Sequence, residues 1–232
     1  MARQAVILAA GMGTRLGRPF PKPLTELGEG HSIMHQQIVK LQEAYPEVRI
    51  MIVVGFKRDL IMEAFPDVAY AYNEIYDQTN TSKSLLKALR LSGDSGVLWL
   101  NGDVVFDPRI LDRVKPLIDA ERSFVCVNTA AVGAEEIKYT VSGSGHIVEL
   151  SKTVAQPLGE AIGINFVGRA DKQVLIDALD SVDDQDYFER GIEVGVAESG
   201  LQFEPVDISD LYAVEVDFEE DLTRARRLDE HP

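Results

Sequence analysis

Residues 5–16 read Ala5-Val6-Ile7-Leu8-Ala9-Ala10-Gly11-Met12-Gly13-Thr14-Arg15-Leu16, with Pro21-Lys22-Pro23 close behind. An apolar run without alternation, closed by glycine, predicts a strand buried on both faces. Such a strand belongs in a parallel sheet and hands its loop to the carboxyl edge, where ligands of open α/β sheets bind. Gly11 and Gly13 allow a sharp turn and a close backbone approach, with N–H groups facing phosphate oxygens. Arg15 and Lys22 put positive charge beside that turn. One charge pair about 4 Å apart is worth ~4 kcal/mol at an effective dielectric of about 20. Two cations and a metal therefore match the needs of a triphosphate.

Two familiar phosphate loops do not fit. The dinucleotide fingerprint wants a third glycine at position 16, where Leu16 stands and Gly17 follows one residue late. Its acidic ribose partner should come about 20 residues on, and Glu26 and Glu29 come too early, in a glycine-rich turn. The Gly-Lys-Ser/Thr of a P-loop is absent. Gly-x-Gly alone is accounted for by a tight strand-to-helix turn; the string with Arg15 and Lys22 asks for phosphate.

Outward from this loop, strand and helix signals alternate. Helical spacing is read over 32–44, 57–65 and 82–91, with buried-strand runs over 48–54, 68–72 and 97–100. Asp107-Pro108 starts a helix expected to reach about residue 120. Beyond it, 137–141 and 147–150 flank Ser142-Gly143-Ser144-Gly145-His146, an antiparallel hairpin signal. Strands are expected over 161–167, 201–206 and 213–216, and helices over 171–179, 187–197 and 219–228. The expectation is an α/β fold: a Rossmann-like three-layer sandwich with a mixed, mainly parallel central sheet, forming one domain over 1–232. The hairpin is a small antiparallel element beside that sheet.

Composition narrows the function. The chain has 232 residues, 45% of them hydrophobic, and a formal charge of −15. So acidic a chain repels polyphosphate backbones, which argues against nucleic acid as its partner. Nothing approaches the roughly 20 apolar residues of a membrane span, and no signal-like segment follows Met1-Ala2-Arg3-Gln4. Cys126, the single cysteine, sits in a strand-like run and reads as a buried inert thiol. A reducing cytoplasm fits. His31, His35, His146 and His231 form no metal-spaced pair.

Acidic residues close two later strands. Asn101-Gly102-Asp103 follows Val97-Leu98-Trp99-Leu100, so Asp103 is expected at the same carboxyl edge as the glycine loop. A carboxylate there suits Mg²⁺, and a turn aspartate is the plain alternative. Residues 212–222 read as a strand, an acidic turn and a helix, with Glu219, Glu220 and Asp221 suited to the helix amino terminus. Nothing in spacing joins Asp103 to Asp217. At Tyr187 and Glu189, an aromatic ring beside a carboxylate suits a quaternary ammonium group.

Leu-Ala-Ala-Gly-x-Gly-Thr-Arg-Leu with Pro-Lys-Pro after it resembles the signature of nucleoside-triphosphate transferases that make nucleotide-sugars and related compounds. The resemblance implies that Leu8, Ala9, Ala10, Gly11, Gly13 and Thr14 wrap an NTP, with Gly11 near base and ribose. It implies that Arg15 and Lys22 hold the phosphates and act in catalysis. It also implies that Asp103 binds Mg²⁺ and that Asp217 completes the metal site, with Glu215 deeper on the same strand face.

Within that family the chain looks closest to small bacterial cytidylyltransferases acting on phosphocholine, inositol phosphate or phosphonates. Residues 76–85 resemble their nucleotide-contacting segment: Asn80 would read a pyrimidine edge and Ser84 would add a hydroxyl. Alternatively, Asn80, Thr81 and Ser82 only cap the next helix. Lys152 and Glu160 match residues that border the acceptor in those enzymes, or form a solvated surface pair. The partners expected are thus an NTP, with CTP favoured, and a small phosphorylated or phosphonate acceptor, a homodimer being left open. The implied reaction is Mg²⁺-dependent CMP transfer with release of pyrophosphate. Alternatives are a sugar-1-phosphate nucleotidyltransferase using UTP, dTTP or GTP, and a catalytically silent nucleotide-binding regulator.

Overall fold

A computed structural model describes residues 4–28, 30–130, 132–133 and 136–230; Glu29 and His231 lie outside them. In chain order the elements begin with β1 (Gln4–Ala9), the short β2 (Glu26–Gly28) and β3 (His31–Ser32), then α1 (Ile33–Ala44). They continue through β4 (Arg49–Val54), α2 (Arg58–Ala64), β5 (Ala69–Tyr72) and α3 (Thr81–Leu91). Next come β6 (Val97–Asn101), β7 (Val104–Phe106), α4 (Arg109–Asp119) and β8 (Phe124–Asn128). The hairpin is β9 (Lys138–Val141) with β10 (Ile147–Ser151), followed by β11 (Gly159–Val167), α5 (Lys172–Ser181) and α6 (Phe188–Ser199). The chain closes with β12 (Glu204–Asp207), β13 (Ala213–Glu215) and α7 (Glu219–Glu230).

Polar side chains set the helix starts. Ser32 accepts the N–H of His35, Asn80 accepts that of Thr81, and Asp107 accepts that of Arg109. Each satisfies a donor that the first turn leaves without an intrahelical partner.

The main sheet runs β10-β9-β11-β6-β1-β4-β5, with β8 on the other edge of β11 and β12 beyond it. β1 is parallel to both β4 and β6, β4 is parallel to β5, and β11 runs antiparallel to β6 and β8. A mixed, mainly parallel sheet is the result, as the alternation of elements predicts. Along β1, Ala5, Ile7 and Ala9 join one core with Met34, Ile38 and Leu111, while Val6, Leu8 and Ala10 join another with Leu85, Leu179 and Phe188. The run lacks alternation because both its faces are covered by helices. Burying each of its larger side chains contributes about 1.5–3 kcal/mol. Cys126 lies in the first core, and burial pushes its thiol far above the ordinary range, which leaves it unreactive. Among the described residues no helix is long and apolar enough to cross a membrane.

Two details depart from the sequence reading. Residues 201–203 do not open a strand, since β12 begins at Glu204 and Leu201 and Phe203 fill the core instead. More consequentially, β7 pairs antiparallel with β13, Val104 opposite Glu215 and Phe106 opposite Ala213. A third core of Val105, Val214, Val216, Leu222 and Ala225 packs at this ribbon. Three-residue strands carry no periodicity, so only their pairing reveals them.

Candidate active site

A cavity of about 340 Å³ opens at the carboxyl edge of β1 and β6. Leu8, Ala9, Gly11, Gly13, Thr14 and Arg15 form one wall, continued by Lys22, Asp103 and Asp217. Gly13 is left-handed, at φ 58°, and a Cβ there would stand 2.8 Å from Lys22 Cβ. Conformation and close passage both demand glycine at that point. A Cβ at Gly11 would meet nothing within 4 Å, so protein packing does not require glycine there.

Lys22 is the hub of this end. Its side chain is buried, and its Nζ donates to Asp103 Oδ2 at 2.6 Å and to Asp217 Oδ1 at 2.6 Å. Arg15 Nη1 donates to the second oxygen of Asp217 at 2.7 Å. Burial by itself would lower the Lys22 pKa, but the two carboxylates outweigh it and raise the value. For Asp217 burial pulls upward and loses to Lys22 and Arg15, so its pKa lies below the ordinary range. The β7–β13 ribbon explains the convergence, because Val216 N–H donates to the Asp103 carbonyl at 3.0 Å. Residues 103 and 217 are thereby held side by side.

The pair suits a divalent ion of the Mg²⁺ type. Asp103 Oδ1 is buried without a hydrogen-bond partner, and Asp217 is held next to Asp103 through their shared contact with Lys22. Mg²⁺ is usually held by one or two carboxylates plus substrate phosphates. Among the described residues no group of three or more His, Cys, Asp or Glu stands together as a metal site.

The other wall has a different chemistry. Tyr187, Phe188 and Glu189 reach the cavity from the start of α6, Lys152 from just after β10, and Glu136 from just before β9. Lys152 Nζ stands over the Tyr187 ring, 5.4 Å from its centroid. Glu189 is only 7% exposed, its Oε2 has no hydrogen-bond partner, and burial pushes its pKa up to about 7. Glu215 also lines the cavity, and burial, then the charges of Asp103 and Glu136, raise its pKa well above the carboxylate range.

Asn80 lines the cavity while its Oδ1 caps α3 and its Nδ2 donates to the Gln185 carbonyl at 3.2 Å. Three expected residues lie elsewhere. The Ala10 carbonyl accepts Phe56 N–H, and Ser84 is buried, its hydroxyl accepting from Asn73 Nδ2 at 3.1 Å. Glu160 is engaged with Gly133 N–H at 2.8 Å and Asn128 Nδ2 at 3.4 Å, bracing β11 against the loop before β9. Sequence reasoning passed over Glu136 and set Glu215 behind Asp217. Strand alternation was the available signal for Glu215, whereas the bend holding Glu136 had none.

Comparison with known proteins places the chain in a family. A family model described as the MobA-like NTP transferase domain matches residues 5–174. The CMP-5'-(3-aminopropyl)phosphonate synthase of Streptomyces rubellomurinus is 29% identical over 245 residues, covering 92% of this chain and 37% of the synthase. The UTP–glucose-1-phosphate uridylyltransferase AglF of Haloferax volcanii is 27% identical over 161 residues, covering 66% of this chain and 65% of that enzyme. This chain thus spans little more than a third of the synthase's length. The structure of the inositol-1-phosphate CTP transferase from T. maritima superimposes with a TM-score of 0.78 at 16% identity, covering 98% of this chain and 94% of the other, a likeness of fold. The family match spans the glycine loop, Lys22 and Asp103 and most of the sheet: the chain belongs to the MobA-like NTP transferase domain family.

Proposed function

We propose that this protein is a nucleotidyltransferase that moves CMP from CTP to a small phosphorylated alcohol or a phosphonate, with Mg²⁺ as cofactor and pyrophosphate as the second product. The observation that carries the reading is the arrangement of Lys22 and Arg15 on Asp103 and Asp217, directly beside the glycine turn. An acceptor phosphate or phosphonate oxygen is already ionised near neutral pH, so it needs no general base. That oxygen attacks the α-phosphorus, the bond to the β-phosphate oxygen breaks, and the electron pair leaves with pyrophosphate. Catalysis is then positioning and charge neutralisation. Gly11, Gly13 and Thr14 line the path of the nucleotide, Lys22 and Arg15 oppose charge on the transferring and leaving phosphates, and Asp103 with Asp217 would hold the metal. Bound there, Mg²⁺ would supply further neutralisation at the phosphates. Asn80, at the cavity wall, would read the pyrimidine, and Lys152 would hold the acceptor's phosphorus oxygens. The buried thiol of Cys126 suits a reducing compartment, and the cytoplasm is the expected site of action.

The similarity to the Haloferax enzyme favours a second reading, transfer of UMP to a sugar 1-phosphate. Pyrophosphate release separates the two. CTP, UTP, ATP, GTP and dTTP are each offered with Mg²⁺ and with phosphocholine, inositol 1-phosphate, 2-aminoethylphosphonate or glucose 1-phosphate. Turnover with CTP and a non-sugar acceptor is expected; turnover confined to glucose 1-phosphate would move the protein to the second reading. Silence throughout would favour a nucleotide-binding regulator.

A further inference from the structure

We infer that the acceptor carries a primary ammonium group and that the Glu189 carboxylate receives it; this rests on the nucleotidyl-transfer reading above. Glu189 lines the cavity, is 7% exposed, and leaves Oε2 without a hydrogen-bond partner. A buried carboxylate oxygen without a donor is costly, and a native structure keeps such a group where a ligand completes it. Glu136 lines the cavity as well, with Lys152 as the cation neighbouring Glu189. An ammonium group at Oε2 would also favour the ionised carboxylate, against the burial that pushes it toward its neutral form.

The chemistry of the wall selects the kind of cation. Oε2 needs an N–H or O–H donor, which a quaternary ammonium lacks. Quaternary groups are held instead on open aromatic faces. Tyr187 is the exposed ring at this position, Phe188 being buried edge-to-face against Trp99, and Lys152 Nζ already stands 5.4 Å from the Tyr187 centroid. A hydroxyl could donate to Oε2 but would leave the charge unbalanced. Glu160, the other acidic residue expected here, has its oxygens engaged by Gly133 and Asn128. An ω-aminoalkyl phosphate or phosphonate meets every requirement.

Matched acceptors test this in the full chain with CTP and Mg²⁺. These are 2-aminoethyl, 2-hydroxyethyl and 2-(trimethylammonio)ethyl phosphates, with the corresponding amino- and hydroxyethylphosphonates. A site built around a donor discriminates strongly against analogues lacking it, so kcat/KM is expected to favour the primary amines by about 100-fold or more. In Glu189→Gln that ratio should shrink to about threefold, mainly through a higher KM for the amine, with Glu189→Asp in between. Equal use of the trimethylated and primary-amine acceptors, or a preference that survives in Glu189→Gln, overturns the inference. The wild-type ratio stands without any variant, should one fail to fold. Turnover of the hydroxyl acceptors in preference to the amines overturns this inference alone, whereas turnover of glucose 1-phosphate only overturns the acceptor reading beneath it as well.

Discussion

The two ends of the cavity differ in how their charges are balanced. At the glycine-loop end, Lys22 sits between two carboxylates at 2.6 Å from each, and Arg15 meets the outer oxygen of Asp217 at 2.7 Å. Lys22 and Asp217 are each shifted toward the charged form, Lys22 upward and Asp217 downward. At the Tyr187 end, Glu189 is shifted toward its neutral form because burial outweighs its backbone hydrogen bond and the charge of Lys152. The first end is assembled before any ligand arrives, as preorganised electrostatic catalysis requires. The second is incomplete by itself, as befits a place where the ligand supplies the missing charge.

The largest test of that contrast is Lys22→Ala. Loss of a positioned donor at developing charge typically costs about 10²–10³ in kcat, and that fall is expected in a steady-state pyrophosphate assay. Turnover within a few-fold of wild type would mean that the balanced end is only structural.

Next in size is the pH response of Glu189→Gln, read from thermal unfolding without acceptor. The carboxyl titrates near 4.5 when unfolded and about 7 when folded, so the folded chain holds its proton more tightly. Its stabilising contribution is complete below pH 4.5 and is lost as pH rises through about 7. Relative to wild type, Glu189→Gln should therefore gain stability between those limits, by up to roughly 3 kcal/mol. Melting temperatures whose difference is the same at pH 5 and pH 8 would show that the incomplete end is not strained by its carboxylate.

A smaller effect separates neighbouring glycines. Gly13→Ala forces a side chain into a left-handed position and against Lys22, at a cost of about 1–3 kcal/mol in denaturant unfolding. Gly11→Ala has room and should leave the unfolding midpoint in place while raising the KM for CTP. Equal loss of stability in both would remove the distinction between a glycine the fold needs and one the ligand needs.

Smallest is Ser84→Ala. It gives up the hydrogen bond from Asn73, worth about 1 kcal/mol of stability, and leaves the KM for CTP unchanged. A KM raised severalfold would return Ser84 to the nucleotide site.

These tests follow the line between what the residue order carries and what it does not. Local pattern was enough for the sheet and its helices, since a run such as residues 5–9 has no alternation only when both faces are covered. It was enough to put Lys22, Arg15 and Asp103 beside one loop, because strand ends and glycine turns are local features. It failed at Ser84 and Glu160, where a polar side chain found partners close by in space, Asn73 in one case and Gly133 in the other.

By itself the sequence determined the α/β class, the glycine loop at the sheet edge and its basic residues. Each depends on interactions over a few residues, whose periodicity and turn chemistry are written in neighbouring letters. Only the tertiary structure decided that Asp217 meets Asp103 and Lys22, through pairing of two three-residue strands more than a hundred positions apart. It alone revealed that Glu189 is buried with an oxygen unpartnered, because burial and hydrogen-bond satisfaction are sums over every element packed around a side chain.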